Sequence, residues 1–411
     1  MNLDSKKDSS ILLILVFTII IDVMGFGLVL PLFPTLFLNS NATMLPLHSS
    51  EFVRFLYYAM AFSVWPIGAF FGTPFLGNVS DKYGRRKILA LCLFMEGFSY
   101  VLCALAVLES MFIIFILARI LQGFFGGSYD IAQAATADIS THENKARNMG
   151  WITFAVAMGL IVGPAISGFT STNEIVSWFT LDTPFWIAAI LAVANAFFIF
   201  KYLPETTEHL RDVKVSFFKV FSSFMFIFSD KRVRRIGLVY FWFIFGWGLY
   251  IIALPLILES VFLYDSKNIG FVFVILGLGN AVTILFVQKY FLKHYAMKFI
   301  FIYSFILGGA ICLGVFLLPF ALMFWITPFF ISGICILGYS SFLAISSNAV
   351  GVDEQGILMG GLGAIASIAF GVSGFALSYL AILDPIFPIL AAGIMFLLSS
   401  YLFIKYKSEE A

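Results

Sequence analysis

Twelve long runs of apolar residues, parted by short polar breaks, make up most of this chain. They fall at about 11–37, 51–76, 87–107, 111–138, 146–170, 182–202, 236–262, 268–290, 297–317, 322–347, 356–380 and 386–404. A helix needs about 20 apolar residues to cross the bilayer hydrocarbon. Inside it, each backbone polar group must find its partner within the protein. The expected fold class is therefore an all-α membrane protein with 12 transmembrane helices. Composition agrees: 61% of the 411 residues are hydrophobic and 11% are charged, against about 25% charged in a soluble domain. A net charge of +1 gives no field to draw nucleic acid. The first run, Ile11–Leu38, is too long for the core of a signal peptide and reads as a retained first helix.

The basic residues set the expected orientation. With the N-terminus in the cytoplasm, 21 of the 24 Lys and Arg fall in the termini, the 2–3, 4–5 and 8–9 loops and the central linker. Both termini are then cytoplasmic. The linker, 203–235, separates an N-terminal half, 1–202, from a C-terminal half, 236–411, each with six spans. Within it Phe217, Phe218, Phe221, Phe224, Met225 and Phe228 recur at helical spacing among Lys and Ser, as in an amphipathic helix lying on the inner leaflet. The halves also look related. Thr136–Gly150 aligns with Ser346–Gly360, including the acids Glu143 and Asp353. LVLPLF at Leu28–Phe33 matches IALPLI at Ile252–Ile257. Parallel six-helix repeats with a site between them fit this pattern.

Chemistry in such a chain concentrates in the few ionisable residues within the spans, since each is costly there. Asp22 lies near the middle of the first span, in DVMGFGLVLPLFP. Proton binding removes the cost of its charge, so it is the candidate to load and release a proton. Glu96 is a second buried acid, in the third span. In the fourth, Arg119, Gln122, Gly126, Asp130 and Gln133 are spaced 3, 4, 4 and 3 apart. On one continuous helix they form a single stripe, expected to face a wet cavity. Asp130 then either contacts substrate or pairs with Arg119. The second half offers Asn280 and aromatics such as Trp247 and Tyr250 for shape and stacking. Small residues recur in the fifth span at Gly159, Gly163 and Gly168 around Pro164. A longer stripe, Gly356, Gly360, Gly363, Ser367, Gly371, Gly374 and Ser378, suits a sliding or tightly packed face of the eleventh span against the second. The four Cys lie within apolar runs, and the four His sit in or beside loops at no metal-ligand spacing. No metal, cofactor or enzyme active site is expected, and no phosphate-cradling G-x-x-x-x-G-K-[ST] loop occurs.

Several motifs carry a resemblance. GNVSDKYGRRK at Gly77–Lys87 places five charges within seven residues. It resembles the loop between the second and third helices of major facilitator superfamily transporters, with Lys82 where Arg is usual. RILQGFFGG at Arg119–Gly127 resembles that superfamily's fourth-helix motif, and Gly159-x-x-x-Gly163-Pro164-x-x-x-Gly168 resembles its antiporter motif. The first-span motif resembles that of tetracycline-type drug/proton antiporters, and LPET at Leu203–Thr206 extends the likeness past the sixth span. The resemblance implies the major facilitator fold and proton coupling through Asp22 and Arg119, with Glu96 as a secondary member. It implies substrate contact from the cavity-lining residues, with Asp130 departing from the tetracycline-type pattern. It also implies a cytoplasmic latch. Gly77 and Gly84 would turn the loop, Asp81 would face the start of the eleventh span near Gly356, and Arg85 would bridge it to Asp138 when the inner gate is shut.

The function expected is proton-coupled export of a small amphipathic molecule by alternating access. The molecule would be cationic, zwitterionic or chelating: a drug, or a secreted metabolite such as a siderophore. The setting expected is a bacterial inner membrane, with the protein a monomer and protons and a small molecule as its partners. A proton-symport importer of a small nutrient is the alternative. A non-transporting receptor is the third class, and no soluble domain exists to serve it.

Overall fold

The computed structural model describes residues 3–39, 44–46, 48–141, 144–173, 175–207, 219–351 and 354–405. Among these, all regular structure is helical. The elements are α1 (Leu3–Phe37), α2 (Glu51–Tyr83), α3 (Arg85–Leu108), α4 (Phe112–Phe125), α5 (Ser128–Asp138), α6 (Lys145–Thr170), α7 (Thr183–Tyr202), α8 (Lys219–Ser229) and α9 (Lys231–Ser260). They continue with α10 (Ser266–Val282), α11 (Gln288–His294), α12 (Met297–Leu317), α13 (Ala321–Asn348), α14 (Gln355–Leu383) and α15 (Phe387–Ile404). Twelve spans are long and apolar enough to cross a membrane. The fourth is α4 followed by α5, broken at Gly126–Gly127. The eighth is α10 joined to α11 through a π-helical turn at Thr283–Val287.

Each half is a bundle. In the first, α1 packs on α6 and α3 on α7; in the second, α15 packs on α9 and α12, and α13 on α10 and α12. The halves meet where α2 lies along α14 and α6 along α10. Seen contacts between them cluster at the end away from the basic loops. There Thr35 and Ser266 share a hydrogen bond of 2.9 Å, and the buried Tyr58 hydroxyl donates to the carbonyl of Ile252 at 2.6 Å. Gly374 packs on the Ala59 carbonyl and Ser63, so the far part of the expected α14 stripe does lie against α2. Just beyond sits a vestibule of about 1010 Å³ lined by both halves, including Glu51, Arg54, Glu259 and Asp265.

The fifth-span motif shows why its residues are small. A Cβ at Gly159 would lie 2.7 Å from Cβ of Val23, and one at Gly163 would overlap the Met24 carbonyl. Thus α6 meets α1 backbone to backbone beside Asp22. On the other face a Cβ at Gly168 would lie 3.3 Å from Lys267 of α10, and one at Gly270 would lie 2.7 Å from the Pro164 carbonyl. One helix, α6, thus holds the helix of Asp22 and the opposite half at once.

The linker helix α8 forms, but it docks on protein. Val220 and Ile227 are buried, with Ile227 against Gly237 and Gly361, while Phe221 touches Phe70 and Phe71 of α2. Glycines on α9 and α14 leave a seat that a membrane surface would otherwise compete for. Phe217, Phe218, Glu143 and Asp353 lie outside the described residues. Because Gly163 touches backbone, Gly163→Val should lower stability in a detergent melting assay, at about 1–3 kcal/mol for overpacking. Gly314→Ala, which faces open space, should leave the melting temperature in place.

Candidate functional site

The fourth span places the site. Gly126 and Gly127 interrupt it, and α5 restarts at Ser128. Ser128 is fully buried, and its hydroxyl lies 2.6 Å from Oδ1 of Asp22 on α1 and 2.9 Å from Oε1 of Glu96 on α3. Three helices thus converge on one oxygen. Asp22 is half-buried, whereas Glu96 is 4% exposed. Tyr100 of α3 sets its hydroxyl where a Cβ on Gly25 would stand, so that glycine lets α3 close on α1 at this level. A serine hydroxyl has one proton to donate and lone pairs to accept with. Both contacts are hydrogen bonds only when one carboxyl carries a proton and donates it to Oγ. The arrangement is therefore suited to holding one proton between two acids.

Arg119 does not share this cluster. It is 1% exposed, donates to the Gln122 side chain and to the Ala61 carbonyl at 3.5 Å, and lies 5.4 Å over the ring of Phe33. Asp130, by contrast, is exposed, and no ion pair joins it to Arg119 among the described residues. The single polar stripe expected along the fourth span is thus split. The break at Gly126–Gly127 resets the helical phase, so α4 buries Arg119 and Gln122 while α5 opens Asp130 and leaves Gln133 half-buried.

In the second half, Trp247 is half-buried and stacks on Tyr250 at 6.0 Å. Tyr250 and Asn280 are 2% and 7% exposed, sealed in the packing of α9 and α10. In the aromatic surface closer to Asp130, Tyr240 is among the aromatics expected from the sequence, whereas Tyr339 and Phe342 were passed over. Tyr339 of α13 lies within electrostatic reach of Asp130, and Tyr240 stacks between Tyr339 and Phe342.

The 2–3 loop departs from the latch expected of it. Gly84 has φ 101°, a left-handed value that favours glycine. Asp81 pairs with Arg85 at 3.1 Å, and Arg85 also pairs with Asp138 at the end of α5. Glu205 of the LPET run accepts the Arg85 backbone N–H at 2.7 Å, which caps α3 with a carboxylate. Apart from Glu205, at the start of the linker, all these residues belong to the N-terminal half. A Cβ on Gly77 or Gly356 would meet no atom within 4 Å, so the points expected to clasp face open space. The Arg85–Asp138 pair therefore forms without the clasp, because it ties the loop to α5 rather than to the other half. Ser128 and Glu205 were missed as site residues. The Gly-Gly-Ser before a helix restart and an acid just past the end of α7 are their only signals.

Residues 15–374 match the profile of the Major Facilitator Superfamily. The chain belongs to the major facilitator superfamily. It is 27% identical over 384 residues to the class C tetracycline resistance protein of Escherichia coli, covering 88% of this chain and 87% of that one. The class B protein of the same organism is 28% identical over 282 residues, covering 68% and 66%. The solved structure of the human organic anion transporter MFSD10 superposes with a TM-score of 0.74 over 96% of this chain and 99% of its own, at 20% identity. That likeness speaks for the fold. The chain is accordingly a multi-pass membrane protein of a transporter superfamily.

Gln122 is the acceptor nearest the buried Arg119 charge. Gln122→Leu should therefore destabilise the protein by about 1–3 kcal/mol, the cost of an unsatisfied buried donor, read as a lower unfolding temperature. Gln122→Glu should recover most of it.

Proposed function

We propose that this transporter exports a small amphipathic molecule in exchange for protons, by alternating access. The observation that carries the reading is the Ser128 hydroxyl set between the carboxyls of Asp22 and Glu96. Two acids sharing one buried donor exchange a proton when their surroundings change, and Asp22, half-buried, is the member water can reach. A proton taken up from outside would be released inside as the cavity changes sides. Similarity to tetracycline resistance proteins over most of the chain supports efflux. The stripe of α6 against α1 supports it too, by resemblance to the antiporter motif.

Asp130 presents an exposed carboxylate near the half-buried ring of Tyr339, which stacks on the buried Tyr240. Such a surface suits a cationic, zwitterionic or metal-chelating substrate with an apolar body. Arg119 is too enclosed to receive an anion directly. The basic loops favour a cytoplasmic location for both termini, in a bacterial inner membrane.

The test is transport in proteoliposomes with an imposed pH gradient, using a panel of amphipathic cations, zwitterions and chelators. At least one compound should accumulate against the proton flow in the wild type. Asp22→Asn should abolish that accumulation. Transport insensitive to both the gradient and the substitution would overturn the reading, and accumulation along the proton flow would make the protein a symporter.

A further inference from the structure

The short helix α5 carries three groups that face three different parts of the molecule. Its first residue, Ser128, holds the Asp22–Glu96 pair. Its third, Asp130, is exposed toward the aromatic surface of the other half. Its last, Asp138, pairs with Arg85 of the 2–3 loop and accepts from Thr206 at 3.4 Å. Eleven residues make about three turns and about 16 Å of helix, short enough to move as one rigid piece. The break before it is built for a pivot. Glycine pairs are where helices bend sharply, and a Cβ on Gly127 would stand in ordinary contact, at 3.4–3.5 Å, with Leu76 and Thr73 of α2.

We propose that Ser128 is a positioning residue that converts the proton count of the Asp22–Glu96 pair into a tilt of α5, moving Asp130 and the Arg85 loop together. The proposal rests on the proton-coupled reading above and deepens it. With one proton on the pair, a carboxyl donates to Oγ while Oγ donates to the other carboxylate, and Ser128 is held from both sides. When that proton leaves from Asp22 to water, one hydroxyl proton faces two carboxylates. Only one contact survives, and the two charges repel across the gap. The start of α5 is then released from one of its two anchors. No other proton or bond changes.

The groups that face this point come from several elements. They are Asp22 of α1, Cys92, Glu96 and Tyr100 of α3, and Tyr129 and Asp130 of α5; behind them Arg119 of α4 neighbours Tyr100, and Tyr339 of α13 neighbours Asp130. The titratable residues of α2 and α6 lie toward the ends of those helices. Arg119 is occupied by Gln122; the two carboxyls lie within hydrogen-bond reach of each other, and the Ser128 hydroxyl bonds to both.

The test uses the full chain in lipid nanodiscs, with spin labels at Tyr83→Cys and Gly356→Cys. The four native cysteines are buried and leave these thiols to be labelled. The distance between labels is measured from pH 5 to 9 with no substrate present. In the wild-type background the distribution should shift with pH. Ser128→Ala should remove the shift or move its midpoint by about one pH unit or more, while Ser128→Thr, which keeps the hydroxyl, should retain it. A shift in Ser128→Ala with wild-type midpoint and amplitude overturns this proposal and leaves proton coupling standing. No shift in the wild type also overturns it. Proton coupling itself falls only if the pH gradient fails to drive transport in proteoliposomes, so the two failures are distinguishable.

Discussion

Hydrocarbon offers no water to an ionised group, and that constraint organises this protein more than any other. A charge inside the bundle must be paired, hydrogen-bonded or able to shed its charge. Otherwise it must reach a space that water can enter, and the intramembrane ionisable residues here divide between these routes. Arg119 keeps its charge and is enclosed by Gln122, the Ala61 carbonyl and the face of Phe33. Asp22 and Glu96 converge on Ser128, where the proposed shared proton would lower the charge to be carried. Asp130 stays exposed, turned toward the space between the halves. The packing serves this arrangement. Backbone contact between α6 and α1 at Gly159 and Gly163 fixes the helix of Asp22, and the same α6 holds α10 of the other half.

The division of labour that follows is spatial. The acids proposed to handle protons, Asp22 and Glu96, and the serine between them lie in the N-terminal half, on α1, α3 and α5. The second half brings aromatic surface on α9 and α13. The ion pairs seen at the basic end stay within one half each: Asp81–Arg85–Asp138 in the first, Arg232 with Asp230 and Glu354 in the second. The halves are tied instead at the far end, by Thr35–Ser266 and Tyr58–Ile252, and by α8 docked between α2, α9 and α14. The 2–3 loop, so prominent in the sequence, is thereby tied to the end of α5 and not to the opposite half.

Much of this was legible from residues alone, and the reason is physical. Twelve apolar runs admit few folds, and small residues four apart announce close helix approach, as Gly159 and Gly163 bear out. What escaped was local phase. Arg119 and Asp130 share a face only on an unbroken helix, and Gly126–Gly127 breaks it. Ser128 escaped because a lone serine gains meaning only from the acids two other helices bring to it. Tyr250 and Asn280 looked available as polar handles, yet packing within the second half encloses both.

The central claim is that Asp22, Ser128 and Glu96 hold a proton that substrate binding displaces. The direct measurement is proton release from purified protein in weakly buffered solution, followed with a pH indicator as a transported compound is added. The account predicts release of about one proton per chain in the wild type, the number one hydroxyl bridge requires, and none from Asp22→Asn. Equal release from Asp22→Asn, or none from the wild type with a compound it demonstrably binds, would contradict it.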